Sequence, residues 1–214
     1  MLYYVCKCAV WTAFHLCYSL RYEGKENIPD KEAVIYTSNH RSNADPPLVG
    51  AGAKGKFAFM AKEELFRNPL FAALIRALGA FPVSRGKGDM TVIDTAVERL
   101  KSGRSLVIFP EGTRSKDGKV HRGKTGAALI AARSGCRIIP VGVVFGEKLK
   151  FRCRITVKYG KPIDPSDYCP TCVDEPDPRK LVRLKNAYMA EITRLVEGDE
   201  AVKPEKTAEG NADE

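Results

Sequence analysis

Histidine is scarce in this chain of 214 residues: there are three, alongside a single tryptophan. The lone Cys169-Pro-Thr-Cys172 pair has no histidine near it. A structural zinc site takes four ligands, so no metal or redox role is expected there. No GxSxG run occurs, which removes the elbow that serine hydrolases build around their nucleophile. No helix-turn-helix, RRM or zinc-finger signature occurs either, so a nucleic-acid partner is not expected. Disulfide scaffolding is equally absent as a pattern. The seven cysteines are odd in number, and Cys6, Cys8 and Cys17 lie in an apolar N-terminal segment. A reducing compartment is expected, with most thiols as small apolar residues.

A net acidic balance is lacking everywhere except the end. The formal charge is +9, yet residues 197–214 hold seven acidic residues against two lysines, a net of −5, which leaves +14 on the body. A body that basic calls for an anionic partner, such as phospholipid headgroups or phosphorylated small molecules. The tail from 198 is expected to be disordered.

Long apolar runs are lacking too, with one near-exception. Residues 1–20 would rise ~30 Å as a helix, the thickness of a hydrocarbon core. Lys7, Trp11, His15 and Ser19 interrupt them every fourth position, leaving an apolar, aromatic-rich opposite face. That pattern predicts an amphipathic helix lying in a membrane interface, here given the boundaries 1–22.

What is present is an alternation of strand and helix signals. Strands are expected at 33–38, 56–60, 80–84, 105–109, 138–145 and 155–159, because short apolar runs end in turn residues there. Helices are expected at 68–78, 89–103, 123–134 and 179–196, with Gly79, Gly103 and Gly135 as stops. Asp45-Pro46 reads as a helix N-cap followed by proline. The fold class is therefore α/β, a single domain with a mostly parallel or mixed central sheet flanked by helices. Active residues in such sheets gather at strand ends. Three strands here run into polar clusters: 39–45, Ser84-Arg85, and 111–115.

His40 and Asp45 follow the first strand. A hydroxyl that acts as a nucleophile loses its proton as the bond forms, and a neutral imidazole suits that task near pH 7. A carboxylate on the other ring nitrogen would hold the tautomer. In the second cluster, Gly112 lets the backbone approach an anion and Arg114 offers a planar donor fork. Glu111 could accept from a hydroxyl.

Asn39-His40-x-x-x-x-Asp45, Phe81-Pro82-Val83-Ser84-Arg85, Phe109-Pro110-Glu111-Gly112-Thr113-Arg114-Ser115 and Ile138-Ile139-Pro140-Val141 occur in that order. The combination resembles the 1-acyl-glycerol-3-phosphate acyltransferase family across most of the chain. The resemblance implies a His40–Asp45 catalytic dyad. It implies that Arg85, Glu111, Gly112, Thr113 and Arg114 bind the acceptor, chiefly its phosphate, and that Pro140 shapes the pocket. It implies lysophosphatidic acid as acceptor, acyl-CoA or acyl-carrier protein as donor, and no metal or other cofactor. The enzyme is expected on an anionic membrane surface at the cytoplasmic face, with its acyltransferase domain at 23–197. Glycerol 3-phosphate or another lysophospholipid is the alternative acceptor.

One rival motif remains. Gly118-x-x-x-x-Gly123-Lys124-Thr125 satisfies the P-loop pattern of nucleoside triphosphatases. A P-loop follows directly on a strand, whereas here the 109–115 cluster intervenes, and no apolar run ends in the aspartate a Walker B needs. The match is read as coincidental, with Lys124 adding positive field near the site.

Overall fold

A computed structural model describes residues 2–83 and 90–198. Its helices are α1 (Leu2–Cys17), α2 (Asp45–Gly52), α3 (Pro69–Ala77), α4 (Met90–Lys101), α5 (Gly126–Ser134) and α6 (Pro178–Glu197). Its strands are β1 (Ser19–Glu23), β2 (Ile35–Ser38), β3 (Phe57–Lys62), β4 (Ala80–Val83), β5 (Ser105–Ile108), β6 (Ile138–Phe145) and β7 (Arg154–Tyr159). The expected acidic tail beyond 198, the first residue of the helix expected at 89–103 and the Ser84-Arg85 cluster fall outside the described residues.

The strands form one mixed sheet in the order β1-β7-β6-β2-β5-β3-β4. Every pairing is parallel except β6 with β7. The apolar runs lack alternation because both faces are covered. Ile35, Leu106 and Ile108 pack on one side with Ala96, Leu100, Ile130 and Leu184 of α4, α5 and α6. Tyr36, Val107 and Ile139 pack on the other with Leu48 and Val49 of α2 and Phe14 of α1. Helix α6 lies so close on β6 that a Cβ on Gly142 would stand 2.8 Å from Leu195 Cβ, which explains glycine inside that strand.

Strands β2 to β6 all point the same way, so their C-terminal ends share one edge. Strand β2 is the fourth of seven and is flanked by β5 and β6. Whatever follows β2 therefore emerges at the middle of that edge.

The N-terminal segment departs from expectation. Helix α1 stops at Cys17, and Ser19 starts β1, which pairs with β7 through Leu20 and Ile155. Cys17 C=O accepts from Arg152 N–H at 2.6 Å, and Ser19 N–H donates to Cys153 O at 3.0 Å. The turn before β7 thus ends the helix, and the boundary expected at 22 cuts a sheet strand. The polar stripe is split as well: Trp11, His15 and Ser19 stay exposed, and Lys7 does not. Lys7 turns inward, donating to Ala53 O at 2.7 Å and Gly55 O at 3.1 Å, with its ammonium 4.8 Å from the Phe57 ring centre. Burial lowers Lys7 to about 8. Tyr4, Val5 and Leu16 are left exposed. No helix among the described residues is long and apolar enough to cross a membrane.

Candidate active site

Asn39 prolongs the sheet by one step beyond β2. Its Oδ1 accepts from Val143 N–H at 2.8 Å and its Nδ2 donates to Val143 O at 3.0 Å, replacing ladder bonds with side-chain bonds. That grip fixes the backbone from which His40 projects. The imidazole stacks on Phe109, the first residue past β5, with ring centres 4.1 Å apart. Its Nδ1 lies 2.8 Å from Asp45 Oδ2.

Asp45 is fully buried at the first turn of α2. The residue before the helix is Ala44, so Asp45 does not cap it from outside as expected. Its Oδ2 turns back to accept Arg41 N–H at 2.6 Å and Ser42 N–H at 2.7 Å. An oxygen held by two backbone N–H groups acts as an acceptor, so His40 Nδ1 carries the hydrogen between them. The lone pair of the imidazole is then on Nε2, where a proton can be taken. Asp45 Oδ1, equally buried, has no donor among the described residues.

The loop leaving β5 closes over this pair. Glu111 accepts from His40 N–H at 3.0 Å through one oxygen and from His121 N–H at 3.2 Å through the other. Ser115 N–H donates to His40 O at 2.7 Å. Both backbone groups of His40 are therefore held by one neighbouring loop. Burial pushes the Glu111 carboxyl up from its usual range, and the two backbone donors pull against that shift. Gly112 turns the loop at φ 74°, a left-handed conformation that favours glycine. Lys124 crosses above it: its N–H donates to Pro110 O at 2.9 Å, and its Nζ would lie 3.4 Å from a Cβ on Gly112. Tyr188 OH donates to Lys124 O at 3.0 Å. Thr113 and Arg114 stand exposed on the same loop.

A buried His–Asp pair at the middle of a sheet edge, with a cation-bearing turn beside it, can take a proton from a hydroxyl and hold an anion nearby. A family model described as Acyltransferase matches residues 19–144. The chain belongs to the acyltransferase family. The 1-acyl-sn-glycerol-3-phosphate acyltransferase of Streptococcus pneumoniae is 36% identical over 182 residues, which are 82% of this chain and 66% of that protein. The chain thus spans just under two thirds of that relative's length. The enzyme of the same name from Bacillus subtilis is 27% identical over 91% of this chain and 96% of its own. Among solved structures, the 1-acyl-sn-glycerophosphate (LPA) acyltransferase of Thermotoga maritima superposes with a TM-score of 0.76 at 28% identity, covering 95% of this chain and 81% of that one.

In this acyltransferase the structure brings together His40, Asp45, Glu111, Gly112, Thr113 and Arg114. Each Glu111 oxygen already accepts one backbone N–H, which ties the carboxylate to the loop and leaves its remaining lone pairs for a substrate hydroxyl. Pro140 is buried within β6 opposite Thr37, three residues before Val143, the residue that grips Asn39. Arg85 lies outside the described residues. Strand β4, which precedes it, ends at Val83 on the same edge as β2.

Two cations of the acyltransferase edge were missed in the sequence reading. Lys62 ends β3 on this edge and pairs with Glu64 at 2.7 Å. Arg41 follows His40, donating to Phe145 O at 2.8 Å and Gly146 O at 3.0 Å while its guanidinium lies 4.2 Å from the Phe145 ring centre. The strand-end position that drew attention to Arg85 would have found Lys62. Nothing local marks Arg41, whose partners are more than a hundred residues away. The P-loop look-alike dissolves. Strand β5 ends at Ile108, ten residues before Gly118. A Cβ on Gly123 would stand 2.6 Å from Met189 Sδ, so that glycine serves packing. Among the described residues no group of three or more His, Cys, Asp or Glu could hold a metal ion.

Proposed function

We propose that this acyltransferase moves a fatty acyl group from an acyl thioester to the free hydroxyl of 1-acyl-glycerol 3-phosphate, giving phosphatidic acid. The observation that carries the reading is the buried 2.8 Å contact between His40 Nδ1 and Asp45 Oδ2, which turns Nε2 into the free base of the pair. The names of the relatives from Streptococcus pneumoniae, Bacillus subtilis and Thermotoga maritima support the choice of acceptor.

His40 Nε2 takes the proton of the acceptor hydroxyl as its oxygen attacks the thioester carbonyl. Asp45 stabilises the imidazolium that forms, through the hydrogen on Nδ1. The tetrahedral intermediate collapses with loss of the C–S bond, and the imidazolium returns the proton to the departing thiolate. The products are an ester and a free thiol, with no net proton change. Arg114, with Lys124 over Gly112, forms the cationic rest for the acceptor phosphate, and the family resemblance assigns Arg85 to the same phosphate. A planar fork suits two phosphate oxygens at once. The donor is acyl-CoA or acyl-carrier protein.

Membrane attachment belongs to the same reading. Leu16 of α1 is 73% exposed and Leu70 of α3 is 84% exposed, with Phe71 and Leu74 beside it. Exposed leucine and phenylalanine on two adjoining helices suit insertion among acyl chains, and the basic body suits anionic headgroups.

The test incubates the protein with palmitoyl-CoA or palmitoyl-carrier protein and, in turn, 1-acyl-glycerol 3-phosphate, glycerol 3-phosphate and a lysophospholipid lacking the phosphomonoester. Phosphatidic acid is expected as the main product. Faster transfer to either other acceptor would replace the substrate, and no transfer to any would end the reading.

A further inference from the structure

Acyl transfer from a carrier places two anionic substrates at one base. The residues described so far account for only one of them. The acceptor phosphate is assigned to the first half of the loop after β5, which carries Arg114 and where Lys124 lies over Gly112. The second half of that loop turns the other way, toward β6. There a Cβ on Gly118 would lie 3.2 Å from Arg41 Nη2.

Beneath that second half lies a cleft of ≈ 330 Å³ lined by Arg41, Ser115, Lys116, Phe145, Lys148 and Leu149, with Glu147 as its one acid. The volume is in the range of ligand sites, though it holds part of a large cofactor and not the whole. The cleft adjoins the base: Arg41 follows His40, and Ser115 N–H bonds His40 O. Burial grades along it. Lys116 and Lys148 are exposed, Arg41 and Leu149 half-buried, and Phe145 buried.

Arg41 is held flat by the Phe145 ring and two backbone carbonyls, which use two of its five N–H donors and leave three. A ligand that matches this grading has a phosphate at its outer end and an amide-bearing arm running inward. Both acyl-CoA and acyl-carrier protein present their thioester on such an arm.

We propose that this cleft seats the donor's phosphopantetheine arm, with Lys116 and Lys148 on its phosphate and Arg41, Phe145 and Leu149 along the arm that leads to His40. This rests on the acyl-transfer reading above. Acceptor and donor anions are thereby separated onto the β5 and β6 sides of the base.

The test is the double variant Lys116→Glu/Lys148→Glu, which changes exposed side chains in the full-length protein. Donors are palmitoyl-CoA, palmitoyl-carrier protein and S-palmitoyl pantetheine, which lacks the phosphate. Loss of a charge-assisted contact lowers kcat/KM for both phosphorylated donors by at least about tenfold. Values for S-palmitoyl pantetheine and the acceptor KM stay unchanged. A loss on carrier protein alone would make the lysines a protein-docking surface, a loss on CoA alone would make them contacts to its nucleotide, and a raised acceptor KM would give the cleft to the acceptor. Each overturns the proposal, as do unchanged donor kinetics in an active variant. A wild-type protein inactive with every donor would instead overturn the acyl-transfer reading itself.

Discussion

At the C-terminal edge of the sheet, Asn39, His40, Asp45 and Glu111 are polar groups taken out of water; on α1 and α3, Leu16, Leu70, Phe71 and Leu74 are large apolar groups left in it. The two regions differ in how the anomaly is resolved. At the edge the chain supplies the compensation. Asn39 makes two bonds to Val143, Asp45 Oδ2 receives three donors, and Glu111 receives two. A buried polar group with its partners in place is rigid, and rigidity is what a base at a fixed distance needs. On the helices nothing within the described residues covers the leucines. Apart from Asp45 Oδ1, the first region finds its partners within the chain, whereas the exposed leucines have no cover among the described residues.

The comparison can be broken most forcefully at His40. His40→Ala is expected to lower kcat by roughly 10²–10⁴, the usual contribution of a general base, and to cost less stability than loss of Asp45, which keeps its two backbone donors when the imidazole is removed. Asp45→Ala should lose activity and stability together. It strands the hydrogens of His40 Nδ1, Arg41 N–H and Ser42 N–H in a buried place, at about 1–3 kcal/mol for an unpaired buried group. Steady-state transfer and thermal unfolding of both variants make the check. An equally unstable His40→Ala protein would mean that the imidazole is part of the scaffold.

The apolar region is probed with Leu16→Glu/Leu70→Glu/Leu74→Glu. Each buried leucine is worth roughly 1.5–3 kcal/mol, so affinity for anionic vesicles should fall at least about a hundredfold. Unfolding free energy should shift by no more than about 0.5 kcal/mol per site, because these side chains are already in water. Vesicle flotation and denaturant titration are the measurements, and full flotation of the variant would move the anchor to the basic body.

Between the two regions stands Arg114, exposed like the leucines but charged. Arg114→Ala is expected to cost on the order of 1.5–3 kcal/mol of acceptor recognition, a ten- to hundredfold fall in acceptor kcat/KM. Arg114→Lys should recover part of it, since a point charge lacks the planar fork. Proportional losses on phosphorylated and unphosphorylated acceptors would assign Arg114 to support of the loop.

Lys7 gives the smallest effect and the finest discrimination, being a half-buried cation on the inner side of α1. Its folded value is about 8 against an ordinary 10.5. Between those values the unfolded chain holds more protons, so stability rises with pH from about 8 to about 10.5. Lys7→Met should lack that rise. Denaturant midpoints of both proteins across the interval decide it, and parallel curves would mean that Lys7 points to water.

How much of this was legible beforehand follows the range of the interactions involved. The His40–Asp45 pair, the 109–115 turn, the Asn68 cap of α3 and the Gly135 stop of α5 depend on contacts within a few residues, and all were readable. So were the strands whose apolar runs are covered on both faces. Strand β1 was not, because five residues at a sheet edge carry little pattern, and only pairing with β7, more than 130 residues later, makes them a strand. The inward turn of Lys7 was hidden for a related reason. A helical wheel orders side chains around an axis but does not say which side meets the protein. The sequence by itself determined the elements and the chemistry of their ends. Tertiary structure decided which ends became neighbours: strand order set β5 and β6 on either side of β2, so that Glu111 came to hold His40 and Arg41 to lie on Phe145. The physical reason is that hydrogen-bonded turns and periodic burial are local preferences, whereas strand order and the choice of buried face are settled only by packing the whole chain at once.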